Sequence, residues 1–153
     1  MSNYSVNCSI PKTLVKELTK NYGIINKKFN EVLNDILDTP ISPELLSNDS
    51  NKISQVTEDI IGPYELHDFF IYYLLKYNFS FEKIYYYACN AFKEKYEKET
   101  IKKWLNTFIT RFFNNQFKRS SMPDGPKVTE ISLSPKGDFR MPSDASCKDF
   151  KIK

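Results

Sequence analysis

The chain has 153 residues, of which 27% are charged and 41% hydrophobic, and a formal net charge of +3 at pH 7. This length fits one domain or a piece of one, and the composition is not that of a disordered chain. No apolar run approaches the ~18 residues that a membrane span needs, and no signal peptide is evident at the N-terminus. We therefore expect a cytoplasmic protein with no membrane partner. Three widely spaced cysteines and one histidine argue against a disulfide framework and against a metal site.

The first 37 residues predict two helices. Apolar residues recur at helical spacing in a stripe through Leu14 and Leu18 and in a second stripe that runs from Ile25 to Ile36. We expect Tyr22–Gly23 to end the first helix, because glycine commonly follows a helix. Residues 38–62 predict a long loop, since they hold two prolines and a glycine among many Asp, Ser and Asn residues.

Residues 63–117 predict three consecutive aromatic-rich helices. Of the chain's 10 Tyr, 12 Phe and 1 Trp, eighteen lie between Tyr64 and Phe117, and neither Pro nor Gly interrupts that stretch. Pro63 is expected to open the first helix and Ser80 to cap the second, and the third is expected from about Glu97 to Phe117. Because so many large rings exceed what one small core needs, we expect one helical face to pack on another chain or domain.

Residues 118–153 predict a long irregular tail, so the fold class is mainly α, with four to five helices and an irregular C-terminal loop. From residue 115 onward the chain holds eight Lys/Arg and five Asp/Glu, whereas the rest holds fourteen of each, so the net positive charge belongs to the tail. Only Lys127–Leu133 alternates weakly like a strand. A basic, conformationally permissive loop suits a polyanionic small molecule such as a nucleotide. Nucleic acid is not an expected partner, because the tail lacks interleaved aromatic residues for base stacking.

Several strings, in one order, resemble the C-terminal part of glutamine-dependent NAD synthetase over essentially all of residues 1–146. They are SIPKTLV, ILDTPISPELL, IGPYELHDFF, QFKRSSMPDGPKV and LSPKGDFRMPSDAS. The resemblance implies the C-terminal portion of an α/β ATP-pyrophosphatase-type synthetase domain, also called adenine nucleotide alpha hydrolase-like. Its members also carry a nitrilase-like glutaminase domain and a Ser-Gly-Gly-rich phosphate loop, and neither is found in this sequence. We therefore interpret the chain as a fragment that begins at an internal methionine.

The resemblance implies an ATP-driven amidation of deamido-NAD. The nicotinate carboxylate is adenylated, and ammonia from glutamine then displaces AMP to give NAD. ATP and Mg²⁺ are expected as the substrate complex of the full enzyme, because such anionic substrates require cations and backbone N–H groups. The implied partners are the rest of the synthetase, the glutaminase domain and a second copy in a homodimer. Without the loop that holds pyrophosphate, we expect the fragment alone to be inactive.

Four tail residues are expected near deamido-NAD, and for Lys118 and Asp138 the resemblance supplies the matching family positions. Lys118 and Arg119, in FKRS, and Arg140, in KGDFR, are expected to bind the substrate, and Asp138 is expected to orient ammonia or accept its proton. The alternatives are structural. Lys118 and Arg119 would complement the dipole of a last helical turn, and Asp138 would bond its own turn. Weaker candidates are Asp124, Lys127 and Lys136.

Two further residues are expected near ATP. Lys12 would lie in the first turn of a helix, where phosphates are favoured, and Ser42 resembles a Ser/Thr position of shorter relatives. A solvated surface lysine and a polar turn residue are the respective alternatives. A second interpretation of the whole chain also stays open: it is a non-catalytic helical binding or assembly module that complements a separate chain bearing the phosphate loop.

Overall fold

A computed structural model describes residues 3–39 and 57–152. The chain divides into two compact units, which we call the hairpin unit (residues 11–65) and the core unit (residues 1–10 and 66–153). Helices dominate both, and the described residues contain no β-strand, only an isolated parallel bridge between Tyr4 and Asp124. The prediction of a mainly helical fold is confirmed, and Lys127–Leu133 does not form a strand.

The hairpin unit contains α1 (Lys12–Ile25), a 3-10 helix (Lys27–Phe29), α2 (Asn30–Asp38) and the short α3 (Thr57–Ile61). The two long helices match the two predicted stripes, and they pack against each other. The predicted end of α1 at Tyr22–Gly23 is wrong, because the helix continues to Ile25. Gly23 has a packing role instead: a Cβ there would lie 2.9 Å from Asn30 Oδ1 and 3.5 Å from Leu33 Cδ1, so the missing side chain lets α2 approach.

α3 lies within the stretch that we expected to be loop, whose residues 40–56 fall outside the described part of the chain. Gly62 follows α3 with φ 93°, a left-handed backbone that favours glycine, and its N–H donates to Glu58 O at 2.9 Å. The Glu58 carboxylate then accepts the N–H of Tyr64 at 3.1 Å. This bond satisfies one of the N–H groups that the start of the next helix leaves without a helical acceptor.

The remaining helices are α4 (Tyr64–Tyr77), α5 (Phe81–Ala91), α6 (Lys98–Asn114), α7 (Gln116–Ser120) and a 3-10 helix (Lys148–Phe150). Pro63 directly precedes α4, and Ser80 caps α5 by accepting the Lys83 N–H, so both predicted starts are confirmed. The third predicted helix is divided at Asn115, whose N–H still donates to Arg111 O at 3.0 Å. Lys118 and Arg119 therefore lie on a separate five-residue helix, not in the last turn of α6.

The hydrophobic core of the core unit is formed by α4, α5 and α6. Its fully buried apolar side chains come from inward-facing positions of these helices: Leu66, Phe70, Ile84, Ala88, Ile101, Leu105 and Ile109. Tail residues cover it from outside, among them Leu133, Phe139, Met141 and Ile152. The Phe139 ring lies 5.4 Å from that of Phe112, and the Phe150 ring 5.3 Å from that of Phe113. The tail is thus irregular, as predicted, but it packs on the aromatic core.

Side-chain bonds to the backbone hold the tail at both ends. Ser9 Oγ accepts the N–H of Val128 at 2.8 Å and donates to Pro126 O at 3.3 Å, and Thr129 Oγ1 donates to Ser9 O at 2.6 Å. At the other end, the Asn106 amide bonds both the O and the N–H of Ile152, at 3.0 and 2.8 Å. None of the helices in the described part of the chain has the length and apolar character of a membrane span.

Candidate functional site

The buried amide of Gln116 connects α7 to the tail. Gln116 is 2% exposed, and its Nε2 donates to Met141 O at 2.9 Å. Its Oε1 accepts from Arg119 Nε at 2.8 Å, and Arg119 Nη2 donates to the carbonyl of Phe112. Together with the Phe112–Phe139 ring contact, these bonds bring α7 against residues 138–141. The structure therefore brings the segments that carry the FKRS and KGDFR motifs together, although Arg140 lies 20 positions after Ser120, the last residue of α7.

Arg119 is bound by the protein itself. Its guanidinium lies 4.4 Å from the centroid of the Phe112 ring, and its described polar partners are neutral carbonyl oxygens. Burial lowers the pKa of Arg119, although the group stays protonated. A guanidinium committed to these bonds closes the end of α6 and fixes α7, which favours a structural role over direct binding of a phosphate.

Lys118 and Arg140 are the exposed cations of the site. The Lys118 ammonium lies 5.9 Å from the ring of Phe117, which is 61% exposed. Arg140 donates from Nε to Pro135 O at 3.1 Å, and this bond within the tail restricts the orientation of its guanidinium. Within the described residues neither cation pairs with a carboxylate, so both retain their charge for an anionic ligand.

Asp138 forms an ion pair within the tail. Lys127 Nζ lies 2.5 Å from Asp138 Oδ1, and the Asp138 side chain is 23% exposed. The hydrogen bond from Lys127 is the largest cause that lowers the pKa of Asp138, and a hydrogen bond from Ser132 adds to it. The carboxylate is therefore ionised at neutral pH and is a weak base, which suits it to accept hydrogen bonds better than to accept a proton. The weaker candidates Asp124 and Lys136 form a similar pair at 2.5 Å.

Asp138 and Lys127 lie in the wall of a cavity of about 290 Å³. Apolar side chains form much of the lining, and polar groups lie among them: Leu74, Leu75, Ile131 and Phe139, with Asn78, Glu130 and Ser132. This volume fits a single ring better than a whole dinucleotide. A second ion pair, Lys76–Glu130, lies at the same wall. The sequence did not predict this cavity, because leucines at helical spacing in α4 fit an ordinary core equally well.

Of the two residues expected near ATP, the structure describes Lys12, which belongs to the hairpin unit. Lys12 is the first residue of α1 and is exposed, and Pro11 at the N-cap makes no side-chain capping bond. Ser42 lies outside the described residues. No group of three His, Cys, Asp or Glu side chains in the described ranges is arranged to hold a metal ion.

Gln116 is the site residue that sequence reasoning missed. It follows Phe112 by four residues, so its side chain occupies the same inward-facing stripe as the core rings of α6. A polar residue at an apolar position of a helical stripe was the available signal. Its partner, the carbonyl of Met141, left no trace in the sequence, because any residue presents a backbone carbonyl.

Comparison with known proteins gives these motifs a context. No protein-family model matches the chain. The chain is 38% identical to the glutamine-dependent NAD(+) synthetase of Mycobacterium leprae (strain TN) and 37% identical to those of Mycobacterium bovis and Mycobacterium tuberculosis (strain H37Rv). Each similarity covers 97% of this chain but only 25% of the relative. The chain therefore corresponds to a part of a glutamine-dependent NAD(+) synthetase, about a quarter of the length of these relatives.

Proposed function

We propose that the chain contributes the deamido-NAD contacts, and some of the ATP contacts, of an enzyme that amidates deamido-NAD to NAD. The observation that carries this proposal is the similarity along 97% of the chain to proteins named glutamine-dependent NAD(+) synthetases. In the proposed reaction, an oxygen of the nicotinate carboxylate attacks the α-phosphorus of MgATP, and pyrophosphate leaves. Ammonia then attacks the carbonyl carbon, AMP leaves with the electrons of the C–O bond, and the nitrogen loses a proton.

The exposed cations are proposed to bind the phosphates of deamido-NAD. Lys118 and Arg140 sit on neighbouring segments and, in the described residues, have no carboxylate partner, so an anionic ligand gains their full attraction. Arg119, which we expected to bind substrate directly, is proposed instead to hold α7 in place through its contacts with Gln116 and Phe112. Lys12 is proposed to act on ATP: its ammonium and the N-terminus of α1 attract a phosphate of ATP.

The cavity beside Asp138 is proposed to receive the nicotinate ring. Its volume of about 290 Å³ and its partly apolar wall fit a flat heteroaromatic ring. Asp138, kept ionised by Lys127, then lies at the wall where it accepts hydrogen bonds from ammonia and directs the nitrogen lone pair to the carbonyl carbon. The ring-sized space and the paired carboxylate support the position of Asp138 in the reaction, with orientation as its main role.

The chain is proposed to act together with the rest of the synthetase, with a glutaminase that supplies ammonia, and with a second copy. Several aromatic side chains of the core unit are exposed, among them Tyr77, Tyr86 and Phe117, and such residues are enriched at protein interfaces. The chain alone is proposed to be inactive, since it has no Ser-Gly-Gly-rich loop for the departing pyrophosphate. Steady NAD formation by the isolated chain from ATP, deamido-NAD and ammonia would contradict this.

Calorimetry with deamido-NAD tests the binding role. We expect Lys118→Ala to weaken binding by about tenfold or more, because a charge-assisted hydrogen bond is lost. Lys103→Ala is the matched control: it removes the same charge from an exposed position of α6, where the ammonium lies 4.3 Å from the Trp104 ring. Equal dissociation constants for wild type, Lys118→Ala and Lys103→Ala would remove Lys118 from the site, and weak binding confined to Lys118→Ala would support it.

A further inference from the structure

The orientation of the Gln116 amide is fixed by its partners. A backbone carbonyl only accepts and a guanidinium only donates, so Nε2 must face Met141 O and Oε1 must face Arg119 Nε. Both ends of the side chain are thus used, at 2.9 and 2.8 Å, and the Gln116 side chain is buried. An apolar side chain of similar volume would fill the same space without needing these partners. The amide therefore specifies geometry in addition to filling volume.

The geometry that it specifies is the spacing of two cations. Lys118 is two residues beyond Gln116 on the short helix α7, and Arg140 directly precedes Met141, whose carbonyl the amide holds. A five-residue helix is too short to be stable alone, so α7 depends on such contacts for its position. The Arg119 bond to the Phe112 carbonyl then fixes the same amide to the end of α6.

We infer that Gln116 is a positioning residue that sets the distance between Lys118 and Arg140, so that one ligand carrying two linked phosphates engages both. The inference rests on the proposed function, in which these two cations bind deamido-NAD. A ligand with two phosphates loses affinity when the spacing changes, since it then reaches only one cation at a time. A ligand with one phosphate needs only one cation and is insensitive to the spacing.

The experiment compares deamido-NAD with nicotinate mononucleotide in calorimetry on Gln116→Leu, within the complete enzyme that contains this chain. Gln116→Leu removes both amide bonds at nearly constant volume. We expect it to weaken deamido-NAD by about tenfold and to change the mononucleotide by less than about twofold. An equal loss for both ligands would reduce Gln116 to a general structural role and overturn the inference.

Asn106→Leu is the matched control. It also removes two hydrogen bonds of a helix amide, but both of them join the tail backbone at Ile152, whereas the Gln116 amide bonds Met141 O and Arg119. We expect it to lower stability as much as Gln116→Leu does, yet to leave the dissociation constant of deamido-NAD within about twofold. If Asn106→Leu weakens deamido-NAD as strongly as Gln116→Leu, loss of tail order in general explains the effect and the inference is wrong.

Gln116→Glu covers the case in which Gln116→Leu does not fold. A carboxylate at this position still accepts from Arg119, but it cannot donate to Met141 O. We expect the same selective loss of deamido-NAD binding, and full retention would overturn the inference.

Lys118→Ala separates the two proposals: if it weakens the binding of deamido-NAD while folded Gln116 variants do not, only the inference fails. If Lys118→Ala has no effect, the proposed function fails and the inference with it.

Discussion

The hairpin unit and the tail of the core unit differ in how regular secondary structure relates to the burial of apolar side chains. α1 and α2 are regular helices, yet their apolar residues are largely exposed, for example Ile25 at 79% and Ile36 at 57%. The tail from residue 121 onward has almost no regular structure, but its Phe139, Met141 and Ile152 pack on the aromatic core. Helical periodicity therefore reports which side chains share a face, whereas burial depends on what other surface is available to cover that face.

The tail obtains its order from a few long-range contacts. Ser9 bonds the backbone at Pro126 and Val128 across more than a hundred residues, and Asn106 and Gln116 bond the backbone at Ile152 and Met141. Each of these side chains satisfies backbone groups that a strand or a helix would otherwise satisfy. A small number of substitutions should consequently release the tail.

Gly125→Ala is expected to have the largest effect. A Cβ at this position would lie 2.1 Å from Ser5 O and 2.7 Å from Cys8 Sγ, and the first of these is backbone that cannot rotate away. We expect the core unit to lose about 3 kcal/mol of unfolding free energy or more, because the N-terminal segment must separate from the tail. Urea unfolding followed by Trp104 fluorescence measures it, since this single tryptophan lies on α6 of the core unit.

Gly137→Ala is the control for that substitution. It lies in the same tail, but nothing lies within 4 Å of a Cβ placed there. We expect a change of less than about 1 kcal/mol, in the stabilising direction if the unfolded chain loses flexibility. Comparable destabilisation by the two substitutions would mean that the tail is sensitive to any added side chain, and that the approach of Ser5 to Gly125 is not what holds it.

Phe139→Ala compares the two regions directly. Its ring packs against Phe112 at 5.4 Å and against the core, so we expect a loss of about 2 kcal/mol, below the full cost of a completely buried ring. Ile36→Ala removes an apolar side chain from α2, where it is 57% exposed, and we expect less than about 0.5 kcal/mol. Trp104 fluorescence reports the first and far-UV circular dichroism the second. A larger loss for Ile36→Ala would reverse the comparison.

Local signals in the sequence predicted the helices, whereas contacts between residues far apart in the sequence were not predicted. Pro63 and the Ser80 cap marked helix starts because both act within one turn. The sequence predicts a helix end at Gly23, since it does not show that α2 packs against this residue. The packing of Phe139 on the core could not be predicted from the sequence either, because a single aromatic residue among Pro, Gly and charged residues forms no periodic apolar stripe.

The candidate site was partly accessible from the sequence. The resemblance singled out Lys118 and Asp138, with Arg140 in the same KGDFR motif, and a hydrogen bond joins α7 to the residue after Arg140. The 2.5 Å pair between Lys127 and Asp138 was not predicted, because residues eleven positions apart in an irregular segment obey no periodic rule. Arg119 was expected to face the substrate, yet its bonds to Phe112 and Gln116 depend on the break between α6 and α7 at Asn115.

A small effect is also expected from the pH dependence that Asp138 gives the stability of the tail. Its pKa in the folded chain lies below the ordinary value of 3.8, mainly because Lys127 donates a hydrogen bond to it. A lowered folded pKa means that the pair stabilises the fold above about pH 4 and that this contribution is lost as the pH falls through the folded pKa. Asp138→Asn should therefore cost less than about 1 kcal/mol at pH 7, as is usual for a partly exposed pair, and progressively less as the pH falls below about 4.

Urea midpoints of wild type and Asp138→Asn at several pH values measure this difference. The difference between the two proteins isolates Asp138 from Glu130, whose pKa is also lowered, by Lys76. Lys127→Met provides the second arm, because without its donor the Asp138 pKa should return towards the ordinary value. Asp138→Asn added to Lys127→Met should then have little further effect at pH 7. A pH-independent cost of Asp138→Asn would contradict the ion pair as its cause, because the backbone bond from the Asp138 N–H to Ser134 O, at 3.2 Å, does not titrate and is retained in the variant.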